Sequence, residues 1–62
     1  MTLNEAYSKR YESIRETLKV LKSKIKRHRN DFKGNPNNWG YVGDLSHIEK
    51  DLKELNEFLG IN

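Results

Sequence analysis

Apolar and aromatic side chains recur along residues 7–32 in alternating steps of four and three. The positions are Tyr7, Tyr11, Ile14, Leu18, Leu21, Ile25, His28 and Phe32. Such an alternation over several heptads is typical of an α-helix that buries one narrow face against other helices. Thr2 and Glu5 have the spacing of a capping box, and Gly34 is a residue type that often ends helices. The pattern predicts a first helix over about residues 3–33.

A second and shorter stripe follows in steps of three and four. It consists of Leu45, Ile48, Leu52, Leu55 and Leu59, with Gly60 directly after it. Residues 34–44 form a connector rich in the turn formers Asn, Gly and Pro. Asn38 and Asp44 are both suitable N-caps for the second helix. Because Gly40 and Gly43 would each cost about 1 kcal/mol inside a helix, we place the second helix at about residues 44–59.

The two predicted helices differ in length by almost a factor of two, which decides the expected architecture. Folded back as an antiparallel hairpin, the second helix would cover only about residues 17–33 of the first. An apolar edge left in water favours self-association. We therefore predict an all-α hairpin that assembles into a homo-oligomeric, coiled-coil-like bundle, either a two-fold dimer or a dimer of dimers. The predicted interface consists of Leu3, Tyr7, Tyr11, Ile14 and Leu18.

Composition supports assembly as the source of stability. A chain of 62 residues without cysteine has no disulfides, and a single core of this size rarely supplies more than about 3 to 5 kcal/mol. No apolar run is longer than two residues, so we expect neither a signal peptide nor a spanning helix. The expected location is the cytoplasm, with no membrane partner.

Basic residues are concentrated in the first half of the chain. Residues 1–33 hold ten Lys and Arg against four Asp and Glu, whereas residues 34–62 hold two against five. Six cations repeat in steps of four and three and define a basic stripe: Arg15, Lys19, Lys22, Lys26, Arg29 and Lys33. A stripe of this kind is suited to phosphate groups, so nucleic acid is one candidate partner.

Pairing between the two helices is the competing explanation of these charges. The positions that flank the two apolar stripes include Lys22, Lys24 and Arg29 in the first helix and Asp44, Glu49 and Asp51 in the second. In an antiparallel hairpin these become neighbours of opposite sign. The cations left for an anionic ligand are then Lys19, Lys26, Arg27 and Lys33.

Two aromatic residues, Trp39 and Tyr41, lie among asparagines and glycines in the connector. They suit a recognition loop, in which aromatic rings supply stacking area and amides such as that of Asn37 supply hydrogen bonds. They equally suit a lid that folds over Phe32 and the second stripe, with the glycines supplying positive φ or close approach. We include Asn37, Trp39 and Tyr41 among the candidate ligand-binding residues.

The C-terminal half of the chain contains the segment Asn38-Trp39-Gly40-Tyr41-Val42-Gly43-Asp44-Leu45, followed by a short amphipathic helix that ends in Phe58-Leu59-Gly60. Over roughly this half, the sequence resembles small helical-hairpin proteins of bacteriophage and plasmid genomes. The resemblance implies an accessory protein of a mobile element. By analogy with small phage proteins that neutralise a host factor or a nucleotide immune signal, it also implies an anti-defence role.

Catalytic chemistry finds little support in the sequence. His28 and His47 are the only histidines, and no ligand spacing typical of zinc accompanies them. No serine has an identifiable base and orienting acid, and no phosphate loop follows a strand. We predict no enzyme activity, no cofactor and no metal. The expected function is an oligomeric binding protein for an anionic, nucleotide-like ligand or a host protein, and the alternatives are nucleic-acid binding or a purely structural component.

Overall fold

A computed structural model describes residues 1–60 as two α-helices joined by a short connector. Helix α1 spans Leu3–Gly34 and helix α2 spans Gly40–Leu59. Within the described residues there is no strand. The predicted all-helical class is therefore confirmed. None of the helices formed by these residues is long and apolar enough to cross a membrane.

The chain divides into two compact units, and the division falls inside α1. The first unit is Met1–Asp31, which holds most of α1. The second is Phe32–Asn62, which holds the last turn of α1, the connector and α2.

The start of α1 is fixed by the side chain of Thr2. Its Oγ1 accepts a hydrogen bond of 3.1 Å from the Glu5 backbone N–H, and its carbonyl accepts one of 3.0 Å from the Ala6 N–H. These bonds satisfy amide donors that have no partner inside the helix. The predicted role of Thr2 as the N-cap is confirmed. At its other end α1 includes Gly34, one residue beyond the predicted limit.

Helix α2 begins at Gly40, four residues before the predicted start near Asp44. The side chain of Asn38 explains the difference, because its Oδ1 accepts a hydrogen bond of 2.9 Å from the Gly40 N–H. Trp39 already has α-helical backbone angles, and its carbonyl accepts bonds from Val42 and Gly43. A Cβ on Gly40 would lie 3.0 Å from the capping oxygen of Asn38. Gly40, whose low helix propensity predicted a later start, thus leaves room for the Asn38 side chain that caps the helix.

Helix α2 ends at Leu59, where Gly60 adopts φ 64° and donates its N–H to the Glu57 carbonyl at 3.0 Å. Among residues 1–60, Gly60 is the glycine with a positive φ. Of the two roles predicted for Gly40 and Gly43, positive φ or close approach, the structure shows a close approach at Gly40. Along α2, Lys53 pairs with Glu49 at 3.7 Å, as their spacing predicts.

Two alanine substitutions at glycines of α2 should change stability in opposite directions. Gly43→Ala should raise the free energy of unfolding by about 0.5 to 1 kcal/mol, because alanine is the better helix former and a Cβ there meets nothing within 4 Å. Gly60→Ala should lower it by about 1 kcal/mol, because alanine resists the left-handed backbone. Urea unfolding followed by circular dichroism, at one chain concentration, measures both. Shifts of the same sign would contradict this local geometry.

No residue among 1–60 is buried. The least exposed side chains are only half-buried, and they include Leu21, Ile25, Tyr41, Ile48 and Leu52. Hydrophobic burial is the main stabilising term in folded proteins. A single copy of the described chain therefore lacks the interior that usually holds a domain together.

Candidate assembly and ligand surfaces

The N-terminal stripe, defined as Leu3, Tyr7, Tyr11, Ile14 and Leu18, is the largest exposed apolar feature of α1. Its members are between 52% and 89% exposed. The rings of Tyr7 and Tyr11 stack with their centroids 6.4 Å apart and their planes 19° apart. The helix therefore holds these side chains in one row, as the heptad spacing predicts, and that row is open to solvent.

The stripe changes character towards the C-terminal half of α1. Leu21, Ile25 and His28 are half-buried, and Phe32 is 36% exposed. The most exposed apolar side chains of the stripe therefore lie in the first half of the helix. This is the half that contains the predicted oligomer interface.

The basic stripe lies along α1 with its six cations exposed to solvent. The carboxylate of Glu12 lies 3.5 Å from the Arg15 guanidinium, within the same helix. Lys19 and Lys26 are seven residues apart and share a face. Arg27 follows Lys26 directly and therefore points about 100° around the helix. Of the candidate cations in the first unit, Lys19 and Lys26 form a common surface and Arg27 does not join it.

The two aromatic residues that the sequence placed in the connector differ, because Trp39 precedes α2 whereas Tyr41 lies in its first turn. Tyr41 is half-buried and packs edge-on against Phe32, with ring centroids 6.0 Å apart and an interplanar angle of 67°. Trp39 is 80% exposed. The lid interpretation is therefore right for Tyr41 and wrong for Trp39. The exposed indole leaves Trp39 available to a ligand.

Asn37 and Trp39 line two shallow hollows of the second unit. One, of about 160 Å³, is bounded by Phe32, Pro36, Asn37, Asn38, Trp39 and Val42. The other, of about 570 Å³, is more open and is bounded by Gly34, Asn35, Pro36, Asn37, Asn38 and Trp39. Neither is lined by Lys33 or Tyr41. Of the candidate ligand-binding residues in this unit, the structure thus brings Asn37 and Trp39 together at one surface.

Comparison with known proteins adds no constraint on this surface. No family model, curated protein or solved structure matches the chain. The resemblance carried by Asn38–Leu45 therefore remains a prediction, and the physical features of the two units carry the functional interpretation.

Ionisable side chains do not gather into a metal centre in the part of the chain that the structure describes. No group of three or more His, Cys, Asp or Glu side chains is placed to hold an ion there. His47 instead lies 3.3 Å from Asp51 on the same face of α2, one turn away. Both side chains are exposed, so this contact contributes little to stability.

Proposed function

We propose that this chain is a non-catalytic binding protein that works as a homo-oligomer. The observation that carries the proposal is the exposure of the N-terminal stripe, in a chain whose residues 1–60 include none that is buried. Monomeric proteins rarely leave a continuous apolar row of this kind in water. Association of the stripes of two or more copies would remove them from water and supply the missing interior.

The lengths of the helices support the same proposal. The 32 residues of α1 and the 20 residues of α2 correspond to about 48 Å and about 30 Å. If α2 folds back on α1 as an antiparallel hairpin, about 18 Å of α1 stays without an intramolecular partner. These first 12 residues of α1, which include Leu3, Tyr7, Tyr11 and Ile14, are then a part that another copy covers.

The proposed ligand is anionic and nucleotide-like. Trp39 supports this, because an exposed indole beside the amide of Asn37 combines a stacking surface with hydrogen-bonding groups. Lys33, which lies in the same unit as Trp39 and Asn37, is the proposed partner of its phosphate group, and Tyr41 is proposed to support the stacking side. Capture of such a ligand, or of a host protein, would fit an anti-defence accessory protein of a phage or another mobile element.

Isothermal titration calorimetry against a panel of cyclic and adenine nucleotides tests the ligand. We expect saturable binding to at least one member and a loss of affinity of at least fivefold in Trp39→Ala, because stacking a base on an aromatic ring contributes about 1 to 3 kcal/mol. Phe58→Ala is the matched control, since Phe58 is an equally exposed aromatic residue at 84%. No heat with any nucleotide would remove the small-ligand proposal, and an equal loss in both variants would remove the role of Trp39.

Nucleic-acid binding is the second candidate, and the continuous exposed basic stripe favours it. Several lysine and arginine contacts to phosphates would make affinity fall steeply with salt concentration. Gel-shift titrations at low and high ionic strength separate this candidate from nucleotide capture. Binding that is insensitive to salt would rule out the phosphate contacts of this candidate. If the chain bound neither nucleic acid nor a nucleotide, the remaining candidate would be a structural component without a ligand.

A further inference from the structure

We infer that the partner of the N-terminal stripe is a second copy of α1, packed antiparallel with its two-fold axis between residues 12 and 13. This inference rests on the proposed homo-oligomer and goes beyond it by fixing the orientation and the register. The whole contact lies within the first unit, Met1–Asp31. It follows from which residues a facing helix would bring together.

The apolar layers match in this register. In an antiparallel pair of heptad helices, the two apolar positions of the heptad alternate across the interface. Tyr11 then faces the partner's Ile14, and Tyr7 faces the partner's Leu18. By symmetry each contact occurs twice, so the stacked tyrosines of one copy lie against the aliphatic side chains of the other. Four of the five exposed stripe residues are covered.

The flanking charges select the antiparallel orientation. In this register Arg15 faces the partner's Ser8 and Arg10 faces the partner's Thr17, so no like charges meet. In a parallel, in-register pair the flanking positions would instead bring Arg10 to the partner's Arg15 and Lys24 to the partner's Arg29. Each of these repulsive contacts would occur twice, and like charges at such positions disfavour a pairing.

Neighbouring antiparallel registers are disfavoured for similar reasons. A shift of one heptad in one direction brings Arg15 opposite the partner's Arg15 and Arg10 opposite the partner's Lys24. A shift in the other direction brings Arg10 opposite the partner's Arg10 at the two-fold axis. Of these three registers, the one centred between residues 12 and 13 is therefore the one without like charges facing each other at the flanking positions.

Spin labels on single introduced cysteines test the orientation directly, because the natural chain has none. Glu5→Cys and Val20→Cys lie at exposed positions outside the stripe. In the inferred dimer, labels at either position alone are offset by fifteen residues, or about 22 Å along the axis. A mixture of the two variants instead brings residue 5 of one copy level with residue 20 of the other.

Because both positions lie on the outer faces of the helices, inter-label distances are measured by double electron–electron resonance, and we expect a shorter distance between the labels of the mixture than within either variant alone. A shorter distance within each variant alone than in the mixture would show parallel packing and overturn the inference, while leaving the homo-oligomer intact. Labelled chains that show no coupling in any sample, together with the mass of one chain, would remove the inference and the homo-oligomer together. Labels that couple only in chains of oligomeric mass confirm that the coupling belongs to the interface.

Discussion

Leu18→Lys should convert the assembly into single chains at concentrations where the natural sequence remains associated. In the inferred dimer each copy buries Leu18 against the partner's Tyr7, so the change places one lysine side chain in each of two apolar contacts. Removing a leucine from a packed site costs about 2 to 5 kcal/mol, and a buried unpaired charge costs more. We expect the dissociation constant to rise at least 100-fold, since about 1.4 kcal/mol corresponds to a factor of ten. Sedimentation velocity across a dilution series measures this.

Val20→Lys is the matched control for this prediction. Val20 and Leu18 lie on the same helix and are almost equally exposed, at 50% and 52%, but Val20 lies about 200° around the helix from Leu18. The control should leave the dissociation constant within about threefold of the natural value, because surface substitutions usually change free energies by less than about 0.5 kcal/mol. If the two lysines had the same effect, the stripe would not be the interface.

Phe32→Ala should lower the free energy of unfolding by about 2 kcal/mol, the largest effect that we expect from a substitution around the connector. Phe32 packs edge-on against the half-buried Tyr41, and losing such a contact removes both apolar area and the aromatic interaction. Trp39→Ala should change the same free energy by less than about 0.5 kcal/mol, because its side chain is exposed. Urea unfolding at a fixed chain concentration compares the two variants.

A reversed order would contradict the division of roles in the connector. If Trp39→Ala destabilised the chain more than Phe32→Ala, Trp39 would be part of the fold and its exposed ring would not be held for a ligand. Calorimetry on the same two variants completes the comparison. We expect Trp39→Ala to weaken nucleotide binding while it stays folded.

The elements that the sequence predicted well are those fixed by local chemistry. The N-cap at Thr2, the row of apolar residues on α1 and the end of α2 just before Gly60 each depend on residues within one or two turns. The start of α2 was misplaced because the helix cost of Gly40 and Gly43 was given more weight than the cap that Asn38 supplies by accepting the Gly40 N–H. Propensity is a weak guide wherever a specific cap competes with it.

The candidate ligand surface could be predicted only in part, and the reason is geometric. Phe32 and Tyr41 are nine residues apart, and the path of the connector between them decides which aromatic ring packs and which stays exposed. Spacing alone treated Trp39 and Tyr41 as equivalent. The helix periodicity likewise showed that Lys19 and Lys26 share a face, but it gave no ligand to hold there.

Self-association at micromolar concentration is tested most directly by light scattering on the natural chain as it elutes from a size-exclusion column. One chain has a mass of 7.4 kDa. We expect a mass of at least twice that value, together with a helical circular dichroism spectrum. A folded, helical species that elutes with the mass of a single chain would contradict the role assigned to the N-terminal stripe.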